Sequence, residues 1–107
     1  MKNSVQDLRA ERVFQVDLKG ARSKKALLDA LAAGLKLPKH FGHNWDELAD
    51  CLMDDAWVKT AKTTVLLYGT ANAEKRFGED WSTLLEILDE ACIWWGEQDK
   101  VLRVGLV

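Results

Sequence analysis

The segment LPKHFGHNWDELADCLMDD, residues 37–55, carries acidic residues on one short stretch that reads as a loop followed by a helix. From His40 to Val58 the chain has no lysine and no arginine. The five acidic residues of this stretch are Asp46, Glu47, Asp50, Asp54 and Asp55. Pro38 disfavours helical backbone at the residue before it, which predicts an extended or turned loop over residues 37–42. An unneutralised acidic helix therefore follows an exposed loop.

Asn44 is predicted to cap this helix, and Glu47 three residues later completes a capping-box pattern. The helix should run from Trp45 to about Met53. Its apolar side comprises Leu48, Cys51 and Leu52, with Trp45 at the edge. The opposite side comprises Asp46, Asp50 and Asp54. Like charges four residues apart destabilise a helix by a few tenths of a kcal/mol, so stability gives little reason for this row. Two interpretations are open: a solvated acidic face, or a surface that recognises a cationic partner.

The rest of the chain has the pattern of a small α/β domain. Residues 12–18 and 101–107 read as strands, and residues 63–68 as a strand covered on both faces. Ser23 can cap a helix that ends at Gly34 or near Pro38, and Asp80 can cap a long helix that Gly96 stops near Trp94. A turn region with room for a short helix lies between residues 69 and 78. The order predicts a three-stranded parallel sheet flanked by helices, in three layers with right-handed crossovers.

Length and charge distribution fit one globular domain over residues 1–107, in which residues 1–11 form an N-terminal extension. The net charge of −2 divides into +5 for residues 1–39, −5 for residues 40–58 and −2 for residues 59–107.

The chain lacks an apolar run of about 20 residues and a secretory apolar segment, so we expect a cytoplasmic protein. Cys51 and Cys92 do not have metal-ligand spacing and are expected to be buried thiols, with a reversible disulfide as the alternative.

Residues 37–52, LPKHFGHNWDELADCL, resemble the central loop and second helix of the barstar-like family of intracellular inhibitors of secreted microbial ribonucleases. The family pattern is L-P-x-aromatic-aromatic-G-x-N-x-D-x-L-x-D-x-L. The matching residues are Leu37, Pro38, Phe41, Gly42, Asn44, Asp46, Leu48, Asp50, Cys51 and Leu52. The order of elements also resembles the family from about Val13 onward. The resemblance implies a barstar-like fold and binding to a basic secreted ribonuclease or a related nuclease toxin.

The resemblance also implies which residues bind the partner. The position of Asp50 enters the ribonuclease active site in the family, the position of Asp46 supports binding, and Gly42 belongs to the same loop. His40 stands where the family has an aromatic residue, and Ala49 where its best-known member has tryptophan. The complete predicted set is Asp50, Asp46, Gly42, His40, Asn44, Trp45, Ala49, Asp54 and Glu90, the last by loose alignment to an acid on the final helix.

Other function classes fit the residues less well. His40-x-x-His43 lies in a loop and lacks the helical spacing of a zinc-protease motif. Asp46 and Asp50 lie side by side on one helix face, whereas glycoside cleavage needs carboxyl groups that face each other across a cleft. We therefore expect no enzyme, no cofactor or metal, no direct nucleic-acid or membrane partner, and a monomer when free.

Two alternatives remain open. The same fold could be an interaction module for a different cationic partner. Trp94 and Trp95 could also form a second interface or a homodimer contact, although packing in the core or at its boundary is the favoured interpretation.

Overall fold

The computed structural model describes residues 11–107, which form a parallel three-stranded sheet and four helices. The elements follow the order β1 (Glu11–Asp17), α1 (Lys24–Gly34), α2 (Trp45–Leu52), β2 (Lys62–Tyr68), α3 (Ala73–Phe77), α4 (Glu79–Glu97) and β3 (Val101–Leu106). The strand order is β1-β2-β3. The predicted α/β class with a three-stranded parallel sheet is confirmed. Residues 1–10 of the predicted N-terminal extension lie outside the described residues, and Glu11 is the first residue of β1.

The described helices cover one face of the sheet, so the predicted third layer is wrong for this part of the chain. Side chains alternate along β1 and β2, and the buried residues of the three strands are Phe14, Val16, Thr63, Val65, Leu67 and Leu102. On the other face Gln15, Asp17 and Arg103 are exposed, and 55% of Val13 is exposed. The order β1-β2-β3 moves both crossovers in the same direction. Right-handed crossovers in one direction place their helices on the same face.

The helix ends follow the sequence signals at α1 but not at α4. Ser23 caps α1 as predicted, because its hydroxyl oxygen accepts from the backbone N–H of Ala26 at 3.1 Å. The predicted start of α4 at Asp80 is wrong, since the helix begins at Glu79 after Gly78, which has a φ of +60°. The predicted stop at Gly96 is also wrong. Gly96 lies within the helix, and Asp99 takes the left-handed conformation beyond it, with a φ of +61°.

Gly34 brings the end of α1 into direct contact with β1. A Cβ atom at this position would lie 2.8 Å from the carbonyl oxygen of Gln15 and 2.8 Å from the Cα atom of Val16. These neighbours are backbone atoms of a paired strand, so they cannot move aside as a flexible side chain would. The missing side chain therefore sets how close α1 lies to the sheet.

Arg76 of α3 ties two loops together at the carboxyl ends of β1 and β2. Its guanidinium group donates to the carbonyl oxygens of Leu18 at 2.9 Å and Ala21 at 3.3 Å, and also to that of Gly69. These three carbonyl groups belong to the two loops that leave the sheet. The contacts therefore hold the edge of the sheet at which β1 and β2 end. None of the helices found in residues 11–107 combines the length and the hydropathy needed to cross a membrane.

We expect Gly34→Ala to lower the free energy of unfolding by about 1–3 kcal/mol, because the added methyl group overpacks the contact between α1 and β1. Gly96→Ala is the matched control, since nothing lies within 4 Å of a Cβ atom there. Alanine is the better helix former, so this variant should gain up to about 1 kcal/mol. Urea unfolding of both variants measures the difference. Equal stabilisation of both would contradict the role of Gly34.

Candidate functional site

The loop before α2 is folded over one buried aromatic ring. Only 5% of Phe41 is exposed, and its backbone N–H donates to the carbonyl oxygen of Pro38 at 3.0 Å. The ring of His43 lies 5.0 Å from the ring of Phe41, measured between centroids. His40, just before Phe41, is exposed. The buried ring thus anchors the turn and leaves His40 on its outer side.

The start of α2 confirms one half of the predicted capping box and corrects the other. The Asn44 side-chain oxygen accepts from the backbone N–H of Glu47 at 2.8 Å, as predicted. The carboxylate of Glu47 accepts from the backbone N–H of Gly42 and does not return to Asn44. His43, between them, has a left-handed φ of +53°. The turn at His43 brings the Gly42 N–H within reach of the Glu47 side chain.

His43 also connects the loop to α1. Its Nδ1 atom lies 2.8 Å from a carboxylate oxygen of Asp29, and the Lys25 ammonium group donates to the other oxygen at 2.9 Å. The Lys25 hydrogen bond is the main cause that lowers the pKa of Asp29 below its usual value, and His43 adds to it. The side chains of all three residues are well exposed, so solvent screens these contacts. They orient the loop more than they stabilise the fold.

The two sides of α2 have the exposure that the sequence predicts. Leu48 and Leu52 are fully buried and Cys51 is half-buried. Asp46, Asp50 and Asp54 are exposed. Within residues 11–107, none of the salt bridges involves a carboxylate of this row. The helix therefore presents negative charge to solvent that no described lysine or arginine neutralises.

A cavity of about 330 Å³ lies between the loop and α2. It is lined by Pro38, His40, Phe41, Glu47, Asp50, Cys51, Asp54 and Ala56. Three residues of the predicted binding set, His40, Asp50 and Asp54, therefore come together in one place. Asp54 is held there because its side-chain oxygen accepts from the backbone N–H of Ala56 at 2.8 Å.

The other predicted residues surround this cavity without lining it. Gly42 adjoins it through the Glu47 carboxylate. Asn44 caps α2. Asp46 is exposed on α2, and Trp45 and Ala49 are half-buried there. Glu90 is exposed on α4, which packs against α2.

Five residues that line the cavity are absent from the predicted binding set: Pro38, Phe41, Glu47, Cys51 and Ala56. The sequence assigns Glu47 to the helix cap, and the other four side chains carry no charge. Cys51 had been placed only on the apolar side of α2. Burial raises the pKa of the Cys51 thiol, and the Asp54, Glu47 and Asp50 carboxylates raise it further. This thiol is therefore a weak nucleophile at neutral pH. In the part of the chain that the structure describes, no three His, Cys, Asp or Glu side chains are grouped as metal ligands.

Two buried indole groups fix the ends of the segment that carries the site. The Trp57 Nε1–H donates to the carbonyl oxygen of Leu35, at the end of α1, at 2.9 Å. The Trp95 Nε1–H donates to the carbonyl oxygen of Leu52, the last residue of α2, at 2.7 Å. Carbonyl groups at a helix C-terminus lack a partner within the helix, so these bonds satisfy acceptors that would otherwise be buried unpaired.

The neighbouring residues Trp94 and Trp95 differ in how much of each side chain is buried. Trp95 is a core residue with 1% of its surface exposed, whereas 41% of Trp94 is exposed. The interpretation as core packing is therefore confirmed for Trp95.

Comparison with known protein families matches residues 11–107 to the family model described as "Barstar (barnase inhibitor)". The matched range begins with β1 and includes every element up to β3. A search of curated proteins found no match.

We expect Trp95→Phe to lower the free energy of unfolding by about 1–3 kcal/mol, because the buried carbonyl group of Leu52 loses its donor. The smaller ring adds a packing loss of its own. Trp94→Phe makes the same chemical change at an exposed neighbour and should alter stability by less than about 0.5 kcal/mol. Denaturant unfolding followed by circular dichroism compares the two. Equal losses would contradict the anchoring role of Trp95.

We expect Cys51 and Cys92 to react slowly with iodoacetamide in the folded protein. Burial is the main cause that raises both thiol pKa values, and the Asp89 carboxylate adds to the effect at Cys92. Less of each thiol is thus ionised at pH 8 than in an unfolded chain, and the rate should keep rising above pH 9. Mass spectrometry with and without urea measures this. Equal rates in both conditions would show that the fold does not protect the thiols.

Proposed function

The chain belongs to the barstar family, and from that premise we propose that it inhibits a basic microbial ribonuclease or a related nuclease toxin. In this proposal α2 and the loop before it cover the active site of the enzyme. The observation that carries the proposal is the exposed Asp50 carboxylate, which lies with His40 and Asp54 at one cavity on a firmly packed helix.

The chemistry of ribonucleases supports this mode of binding. An enzyme that cleaves RNA must hold a polyanion and stabilise negative charge in the transition state, so its cleft is lined with basic groups. A carboxylate on a rigid helix can occupy the place of a substrate phosphate. Asp50 has this role in the proposal, and Asp46 adds to the negative field and to the hydrogen bonds. Gly42, Asn44 and Trp45 shape the loop and the start of the helix.

The remaining predicted residues adjust the contact to a particular enzyme. His40 and Asp54 line the same cavity as Asp50. Ala49 presents a small, half-buried side chain where the family's best-known member has tryptophan. Glu90 on α4 adds a further exposed acid. The likeness to the family supports a shared binding mode, whereas these differences indicate a partner surface of different shape.

The protein acts in this proposal without cofactor or metal and without catalysis, as a cytoplasmic monomer that forms a one-to-one complex. The acidic face repels nucleic acid, which disfavours direct RNA binding. It attracts a basic enzyme at long range, and the family's type pair, barnase and barstar, is itself a standard example of such electrostatic steering. Salt should therefore slow association, since it screens exposed charges beyond about 10 Å at 0.1 M.

We expect Asp50→Asn to weaken inhibition of a ribonuclease by about 2 kcal/mol or more, because a charge-assisted hydrogen bond in the enzyme cleft is lost. Asp55→Asn is the matched control. It removes the same charge at an exposed position outside the cavity wall, so it should cost less than about 1 kcal/mol. Titration of several small basic ribonucleases with each variant, at low and moderate salt, gives both values.

Equal losses for the two variants would show that only the overall charge matters, and would contradict insertion of Asp50. If the wild-type protein inhibits none of the enzymes, the family fold remains but the partner is a different cationic protein. A pull-down with wild-type protein, with Asp50→Asn as the control, would then identify that partner.

A further inference from the structure

We propose that Glu47 is a positioning residue that holds the loop at Gly42 and His43 in its binding shape before a partner arrives. Its importance for inhibition rests on the proposed function, whereas its action on the loop belongs to the free protein. The Glu47 carboxylate accepts from the backbone N–H of Gly42, and Glu47 is a half-buried residue of the cavity wall that Phe41 and Asp50 also line. The other four acids of residues 40–58 are exposed.

Two hydrogen bonds connect Glu47 to the loop before α2, one through its backbone and one through its side chain. Asn44 binds the Glu47 backbone N–H at 2.8 Å, and the Glu47 side chain binds the Gly42 N–H on the other side of the turn at His43. The Nδ1 atom of His43 is held 2.8 Å from Asp29 on α1. The loop backbone is thus tied to the first turn of α2 and to α1. A change of backbone angles at His43 would break the contact between Glu47 and Gly42.

The space around Gly42 reflects the same contact with the Glu47 carboxylate. A Cβ atom at residue 42 would lie 2.8 Å from the Cδ atom of Glu47 and would collide with its carboxylate. Gly42 does not have the left-handed φ that would itself require glycine. The missing side chain therefore makes room for Glu47.

A loop that is already ordered loses less conformational entropy when a partner binds. The loop carries His40, which lines the cavity together with Asp50 of α2, so the loop side of the cavity depends on the position of the loop. The competing role for Glu47 is direct attraction of a basic group on the partner. Glu47→Gln separates the two roles, since glutamine keeps an acceptor oxygen but has no charge. Glu47→Ala removes both.

The first test is amide hydrogen exchange at Gly42 in the free protein, measured by NMR. Glu47→Ala should speed this exchange roughly tenfold, because a charge-assisted hydrogen bond is lost. Glu47→Gln should change it by less than about threefold. Amide protons of β2 report on global stability and should be unaffected. Unchanged exchange at Gly42 in Glu47→Ala, with β2 intact, would overturn the proposal.

The second test is a double-mutant cycle that uses the space at residue 42. Gly42→Ala should displace the Glu47 carboxylate and speed exchange at residue 42. The same substitution in the Glu47→Ala background should add less than about twofold, because the contact is already gone. Fully multiplicative effects of the two substitutions would overturn the proposal.

Binding provides the third test, with any ribonuclease that the wild-type protein inhibits, at moderate salt. Glu47→Gln should stay within about threefold of the wild-type affinity, and Glu47→Ala should lose about tenfold or more. Equal losses would assign Glu47 to direct charge attraction and overturn its role in positioning. If the wild-type protein inhibits no ribonuclease, the proposed function fails. Exchange at Gly42 still decides whether Glu47 holds the loop.

Discussion

Two buried indole N–H groups, from Trp57 and Trp95, hold the segment on which the acidic face depends. An isolated helix of eight residues such as α2 is not stable in water, and like charges along it weaken it further. Contacts with the rest of the domain therefore stabilise the helix. Leu48 and Leu52 supply buried apolar area, and the indoles satisfy carbonyl groups where α1 and α2 end. Gly34 determines how closely α1 lies to β1, and thus the position of the Leu35 carbonyl group that Trp57 binds.

This arrangement separates the groups that stabilise the protein from those that face solvent. The repulsion between Asp46, Asp50 and Asp54 amounts to tenths of a kcal/mol per pair. A single buried leucine contributes about 1.5–3 kcal/mol, so burial on a well-packed helix outweighs the repulsion within the acidic row. Glu47 belongs to neither group. It is an acid at the boundary between loop and helix, and its carboxylate serves the backbone of the loop.

The sequence predicts local features of this protein well and distant ones poorly. The caps at Ser23 and Asn44, the two sides of α2 and the parallel three-stranded sheet follow from patterns within a few residues or from element order. The single-sided sheet was missed because the half-buried face of β2 is apolar at Leu66 and reads as fully covered. The partner of Trp95 lies 43 residues away, and no periodicity reveals it. The sequence pattern fits a capping box in which the Glu47 side chain returns to the helix cap. The left-handed turn at His43 brings the Gly42 N–H to the Glu47 carboxylate instead.

If the acidic helix occupies the place of substrate phosphate in a basic ribonuclease, as we propose, the protein must compete with a ligand of the enzyme's active site. A fluorescent, uncleavable oligonucleotide bound to the enzyme would be titrated with the protein. We expect complete release of the oligonucleotide at one equivalent of protein, with an apparent affinity that falls in proportion to the oligonucleotide concentration. A ternary complex, in which enzyme, oligonucleotide and protein remain together, would contradict it.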